Sequence, residues 1–150
     1  SSPLISPRLL TLPFPYTLAD AESWIASQHT CSAPCLPLQA IRLHQPNEDG
    51  PLIGAASLAK KDEAEAYELG YYLDPEWQGL GIMRNAVLAV LSWAGHEEGA
   101  KSVVVRVESS NAGSRRVVES IPGFVRQEDE EVDWKGTPKV VRVWRLRFER

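Results

Sequence analysis

Cysteine is scarce in this chain: two among 150 residues, Cys31 and Cys35. A single pair does not make a disulfide framework, which points to a reducing compartment and a cytoplasmic setting. The two stand in Cys-x3-Cys spacing near His29, with no second ligand pair following. That is not zinc spacing, so no metal is expected and both read as free loop thiols. Long apolar runs are missing too. None approaches the roughly 18 residues of a membrane span, so no membrane partner is expected. The proline-rich start lacks the basic and apolar regions of a secretory signal. There is no excess of positive charge either. The formal net charge is −4, which argues against nucleic acid, because phosphate binding wants a basic face. What remains is ordinary globular composition, 43% hydrophobic and 24% charged over 150 residues. That fits one domain over 1–150, able to bury about 70% of the surface its unfolded chain exposes.

The informative stretch lies between Ala66 and Asn85. An aromatic and aliphatic strand is expected over 66–73, ended by Asp74-Pro75 because proline offers no N–H to a ladder. Gln78-Gly79-Leu80-Gly81 is the loop, and a helix starts near Ile82. The first N–H groups of that helix have no carbonyl partner within it, and its dipole adds partial positive charge there. Glycines at 79 and 81 allow close approach of backbone to a ligand. Together these features make a phosphate seat. No Gly-Lys-Ser/Thr follows, which excludes a P-loop, and Arg84 stands where a dinucleotide fingerprint needs its third glycine.

Around this stretch the pattern predicts a mixed α/β domain. Residues 1–15 carry four prolines and read as an extended arm, or as a short edge strand over 5–12. A helix over 18–28 follows, N-capped by Thr17 with Asp20 three residues on. Ala21, Trp24, Ile25 and Gln28 share one face of it, suited to core packing. After a loop over 29–37 come a strand over 36–43, a turn cluster over 44–51 and a returning strand over 52–59. Gly54 within that strand marks a bulge or a close backbone approach. The third strand is 66–73, completing an antiparallel meander. The helix over 82–98 places Ile82, Met83, Ala86, Val87, Val90, Leu91 and Ala94 on one stripe. The β-branched run 102–107 reads as a buried strand reached by a right-handed crossover. Asn111 caps a short helix over 112–120. Two long strands over 124–134 and 139–148, joined by residues 135–138, end the chain. Glu128, Asp129, Glu130 and Glu131 read as a solvated tract, or as cross-strand partners of Arg142, Arg145 and Arg147.

Gln78-Gly79-Leu80-Gly81-Ile82-Met83 resembles the acetyl-CoA diphosphate loop of the GNAT superfamily of N-acetyltransferases, Gln/Arg-x-x-Gly-x-Gly/Ala, with Met83 departing at the last position. Asn111 and Ser114 followed by Gly123-Phe124 resemble the family's second block, and Pro15-Tyr16-Thr17 resembles the branch containing ribosomal-protein N-terminal acetyltransferases. The resemblance covers residues 13–148. It leaves too little chain before Pro15 for the family's usual opening strand and helix, so an abbreviated N-terminal part is expected.

The resemblance implies a GNAT fold in which acetyl-CoA wedges between splayed strands, here 66–73 and 102–107. Backbone groups around Tyr72 and Leu73 would pair with the pantetheine arm. The amides of Gln78, Gly79, Leu80, Gly81, Ile82 and Met83 would hold the diphosphate. Asn111 and Ser114 would touch the arm or the phosphates, unless Asn111 is a plain helix cap. Glu68 is the candidate base, or else a carboxylate that orients substrate; Glu65, Glu22 and Asp74 are weaker choices. An N–H near Leu73 would polarise the carbonyl. Trp24 would help to wall the acceptor groove. Val118 stands where many members carry a tyrosine acid, so no general acid is assigned. The implied reaction is acetyl transfer from acetyl-CoA to a primary amine, a peptide α-amine or a small molecule, by a monomer or homodimer. A catalytically idle CoA-binding module is the alternative.

Overall fold

In the computed structural model, residues 5, 9, 13, 15–30, 39–44, 49–61, 66–96 and 99–148 are described. Helix α1 is Leu18–Thr30, followed by strands β1 (Gln39–His44), β2 (Asp49–Lys60) and β3 (Ala66–Leu73). Helix α2 is Ile82–His96, β4 is Ser102–Glu108 and α3 is Ala112–Glu119. Strands β5 (Val125–Arg126), β6 (Glu130–Trp134) and β7 (Thr137–Arg147) end the chain. The strands form one sheet in the order β1-β2-β3-β4-β7-β5, with β6 also on β7. Every pairing is antiparallel except that of β3 with β4. This is the mixed sheet expected of the pattern, with the crossover through α2.

The stripe on α2 explains the main core. Met83, Val87, Val90, Leu91 and Ala94 are buried. They pack against Tyr67, Leu69 and Leu73 of β3, Val103, Val105 and Val107 of β4, and Val118 and Ile121 at α3. Strand alternation sends Val104, Val141, Val143 and Trp134 to the opposite face, where they form a second, smaller cluster. Gly54 meets a steric demand: a Cβ there would lie 2.5 Å from Tyr72 O, inside any permitted contact.

Several expectations need correction. The last two strands were expected over 124–134 and 139–148, but the first is broken. Between the pairs Arg126↔Trp144 and Glu130↔Val141, four steps on this strand span three on β7. The extra residue is a bulge that separates β5 from β6. The connection at 135–138 contracts to a two-residue turn, with Lys135 at φ 54 and Gly136 at φ 80 between paired Trp134 and Thr137. Positive φ at both positions matches the twist of a tight hairpin. Strand β2 begins at Asp49 rather than 52. Two register shifts against β1 admit Pro51 into it, and Arg42 Nη1 donates to Gly50 O at 3.1 Å beside them. Helix α1 runs on through His29 and Thr30, which were expected in the following loop. Its expected core face is only partly covered: Ala21 is half-buried, while Trp24 is 38% exposed and Ile25 52%. The N-cap is as expected. Thr17 N–H and Oγ1 donate to Asp20 Oδ2 at 2.7 and 2.6 Å, and Asp20 N–H donates to Thr17 Oγ1 at 3.2 Å. Most of the arm over 1–15, and all of Cys31, Cys35 and Glu65, lie outside the described residues.

Candidate active site

Strands β3 and β4 pair only through Ala66↔Ser102, Tyr67↔Val103 and Glu68↔Val104. Both continue, β3 to Leu73 and β4 to Glu108. Their adjoining edges thus carry backbone groups that the ladder does not use. Asp74 N–H donates to Ile53 O at 2.7 Å, next to the pair Gly54↔Leu73. Alternate residues of an antiparallel strand bond to the same neighbour, so the backbone of Tyr72 faces β2, while Leu69, Tyr71 and Leu73 face the gap toward β4. Near the position expected to make a strand-like contact, Tyr72 and Leu73, the backbone groups turned to the gap are thus those of Leu73 and Tyr71.

Beyond Leu73 the chain is held tightly. Asp74 Oδ1 accepts Glu76 N–H at 3.0 Å and caps one turn of 3-10 helix at Pro75–Trp77. Gln78 Nε2 donates to Leu73 O at 2.9 Å, tying the loop to the end of β3. Gly79 and Gly81 have φ of 78° and 77°, left-handed values that an L side chain adopts only with strain. A Cβ on either would meet nothing within 4 Å, so conformation requires these glycines and the space beside them is open. Asn85 N–H donates to Gly81 O at 3.2 Å. The amides of Ile82, Met83 and Arg84 are therefore first-turn donors without an intrahelical acceptor. The departure at Met83 is accommodated, since its side chain is buried in the core.

Helix α3 flanks the same end. Asn111 is its N-cap, with Oδ1 accepting Ser114 N–H at 3.2 Å. Ser114 O accepts the Tyr71 hydroxyl at 3.1 Å, joining β3 to α3. Burial pushes the Tyr71 phenol well above its ordinary range, and the bond to Ser114 only partly opposes this. Arg84 Nε donates to Ser120 O at 3.3 Å, which joins α2 to α3. Val118 is 1% exposed and belongs to the core.

Glu68 forms the last pair before the gap, and its side chain lies on the face away from α2 and α3. Lys61 Nζ stands 2.5 Å from its Oε2, and Arg106 Nη1 3.5 Å from its Oε1. Arg106 also donates through Nε and Nη2 to Glu130 at 2.7 and 3.2 Å. Of the weaker carboxylate candidates, Asp74 is engaged as a cap and Glu22 is exposed on α1. The acidic tract was read as solvated or as paired with the arginines of β7. Glu128, Asp129 and Glu131 are exposed, as the solvated reading had it. Glu130 reaches Arg106 on β4 and also feels the charge of Arg145 on β7, and Asp129 pairs with Arg126. Sequence reasoning missed Lys61, Arg106 and Tyr71. Alternation would have put Arg106 on the face of Glu68, but only the strand order brings Glu130 there.

Among the described residues, no group of three or more His, Cys, Asp or Glu is placed to hold a metal ion. No helix among them is long and apolar enough to cross a membrane.

Comparison with known proteins puts this geometry in context. A family model whose description reads "Acetyltransferase (GNAT) domain" matches residues 4–124. Over 81 residues the chain is 37% identical to a probable N-acetyltransferase, YjcK, of Bacillus subtilis (strain 168), covering 53% of this chain. It spans only 44% of that relative's length. Among solved structures, the ribosomal-protein-S5-alanine acetyltransferase of Vibrio fischeri superposes with a TM-score of 0.73 at 20% identity, covering 97% of this chain and 80% of that one. A domain from Methanocaldococcus jannaschii superposes at 0.74 with 20% identity, covering 99% and 86%. These last two likenesses are of fold.

Proposed function

Because the chain belongs to the GNAT acetyltransferase family, we propose that it transfers acetyl from acetyl-CoA to a primary amine by direct attack. The observation that carries this reading is the short β3–β4 ladder. It leaves a gap with unpaired helix amides at one end and Glu68 at the other. The amides of residues 79–83 hold the diphosphate, where the α2 dipole favours negative charge; Gln78 N–H, expected among them, already donates to Pro75 O at 3.3 Å. The pantetheine arm runs along the open edge of β3 and bonds Leu73 and Tyr71 as a further strand would. Asn111 and Ser114 border the arm from α3. Glu68 stands five residues, roughly 17 Å of extended strand, before Leu73, toward the reach of the thioester.

The amine must be neutral to attack. An α-amino group, with a pKa near 8, is partly so at neutral pH, whereas a lysine near 10.4 needs more help. Glu68 accepts the proton, directly or through a water. The N–H of Tyr71, which faces the gap three residues beyond Glu68, polarises the carbonyl; the donor expected near Leu73 lies too far along the strand to act on a thioester that Glu68 serves. Val118 stands where many members carry a tyrosine acid and is buried, so no general acid is assigned, and the thiolate leaves unaided, its pKa being about 8.5 by analogy with a thiol. The acceptor is a peptide N-terminus, in keeping with the Pro15-Tyr16-Thr17 segment, or a small amine. Trp24, partly exposed on α1, borders its approach.

The test is thiol release from acetyl-CoA with a panel of peptides and small amines. Turnover with any of them supports transfer. Glu68→Gln should lower turnover more than CoA affinity, and equal turnover would strip Glu68 of its role. The buried Val118 keeps a second reading open, a CoA-binding module without catalysis. Tight CoA binding with no thiol release on any acceptor would favour it.

A further inference from the structure

Lys61 has no part in the reaction as described, yet its Nζ holds the carboxylate assigned to the incoming amine, at 2.5 Å from Glu68 Oε2. Its position is fixed by backbone: Lys61 N–H donates to Ala66 O at 2.9 Å, which sets the residue beside the first pair of the β3–β4 ladder. Its side chain is 50% exposed, so it can leave and return. Lys61 and Glu68 meet on the sheet face away from α2, opposite the side from which the diphosphate seat would feed the gap.

We propose that Lys61 is an internal acceptor, and that the chain acetylates its own Lys61 Nζ with Glu68 taking the proton. This rests on the acetyl-CoA reading above. An acceptor must be an amine, must contact the base and must lie where the gap opens. Lys61 meets the first two requirements in the structure, and the position of Glu68 at the last ladder pair meets the third. Glu68 removes one proton from the ammonium. The freed lone pair attacks the thioester carbonyl carbon, a C–N bond forms, and the C–S bond breaks with its electron pair passing to sulfur. The second proton goes to the departing thiolate, giving CoA thiol and a neutral amide. Modification would relieve Glu68 of one of its two cations and leave Arg106.

The test is to incubate the chain with acetyl-CoA, with and without the amine panel, and to follow each lysine by peptide mass mapping. Lys60, adjacent and exposed, is the control for uncatalysed acetylation. Lys61 should react at least about tenfold faster than Lys60, a modest advantage for a positioned base. Glu68→Gln should abolish that advantage, as should urea unfolding of the wild-type chain, which covers a variant that fails to fold. Equal rates at Lys60 and Lys61, or an advantage that survives in folded Glu68→Gln, would overturn the proposal. Acetylation of added amines with Lys61 untouched would overturn it while leaving the transferase reading intact. No acetylation of either would sink both.

Discussion

Arg106 grips Glu130 at two points, Nε to Oε2 at 2.7 Å and Nη2 to Oε1 at 3.2 Å. The two residues sit on β4 and β6, with β7 between them. The guanidinium reaches past Val141 and Val143 of β7, and its remaining nitrogen stands 3.5 Å from Glu68. Such a fork is planar and directional, so Glu130 fixes the angle at which Arg106 meets Glu68. The same bond holds the Glu130 carboxyl below its ordinary range. Because both partners are partly exposed, the pair adds little to stability. Its value is in holding Glu68.

Arg106→Gln should therefore lower turnover by about tenfold while the KM for acetyl-CoA moves by less than about twofold. Arg106→Lys should recover only part, since an ammonium cannot reproduce the two-point contact. Glu130→Gln should act in the same direction and more weakly. Steady-state kinetics on the three variants decides the matter, and a loss of melting temperature with unchanged turnover would reduce Arg106 to a structural brace.

Gly81→Ala tests the loop. Its φ of 77° strains any other residue, although no atom stands in the way of a Cβ. The strain should cost about 1 kcal/mol, through either stability or a shifted loop. If the amides of 79–83 hold the diphosphate, CoA affinity should fall by about tenfold, and titration calorimetry would read it. Affinity unchanged in a folded variant would move the diphosphate elsewhere.

How far such features could be read in advance depended on how local their causes are. Strand β3 begins and ends where Pro75 and its aromatic run put it, and α2 buries the stripe that its 3.6-residue spacing marks. Both are set within a few residues of chain. The break between β5 and β6 is not local, because the extra residue is defined only against the register of β7. The contact of Arg106 with Glu130 is less local still, since it requires β7 to insert between their strands. Tyr71 looked like one aromatic among several until α3 placed Ser114 O above its hydroxyl. For α1, helical spacing showed that Trp24 and Ile25 share a face but not that the face meets water.

The reciprocal cap on α1 should fail in acid. Hydrogen bonds from Thr17 hold the Asp20 carboxyl below its ordinary value. A depressed carboxylate contributes stability above its unfolded pKa and loses it as pH falls through the folded one. Helicity of α1 should therefore decline below about pH 4, ahead of the sheet. Asp20→Asn should remove that pH dependence, and amide exchange of residues 18–26 followed from neutral pH downward would show it. Equal acid sensitivity in Asp20→Asn would assign the loss to other carboxylates.

Tyr71 makes the opposite prediction in alkali. Its phenol is buried and donates to Ser114 O at 3.1 Å, and burial raises its pKa. In the unfolded chain the phenol ionises near pH 10, while in the fold it stays neutral. Its contribution is thus complete below pH 10 and is lost as pH rises from there toward the folded value. Tyr71→Phe removes the titration and leaves Ser114 O without this donor, at a cost of roughly 1–3 kcal/mol at neutral pH. The variant should melt earlier than wild type at pH 7, and the gap between the two should narrow as pH climbs past 10. Parallel melting curves across that range would mean that water reaches the hydroxyl, and that β3 and α3 are not joined there.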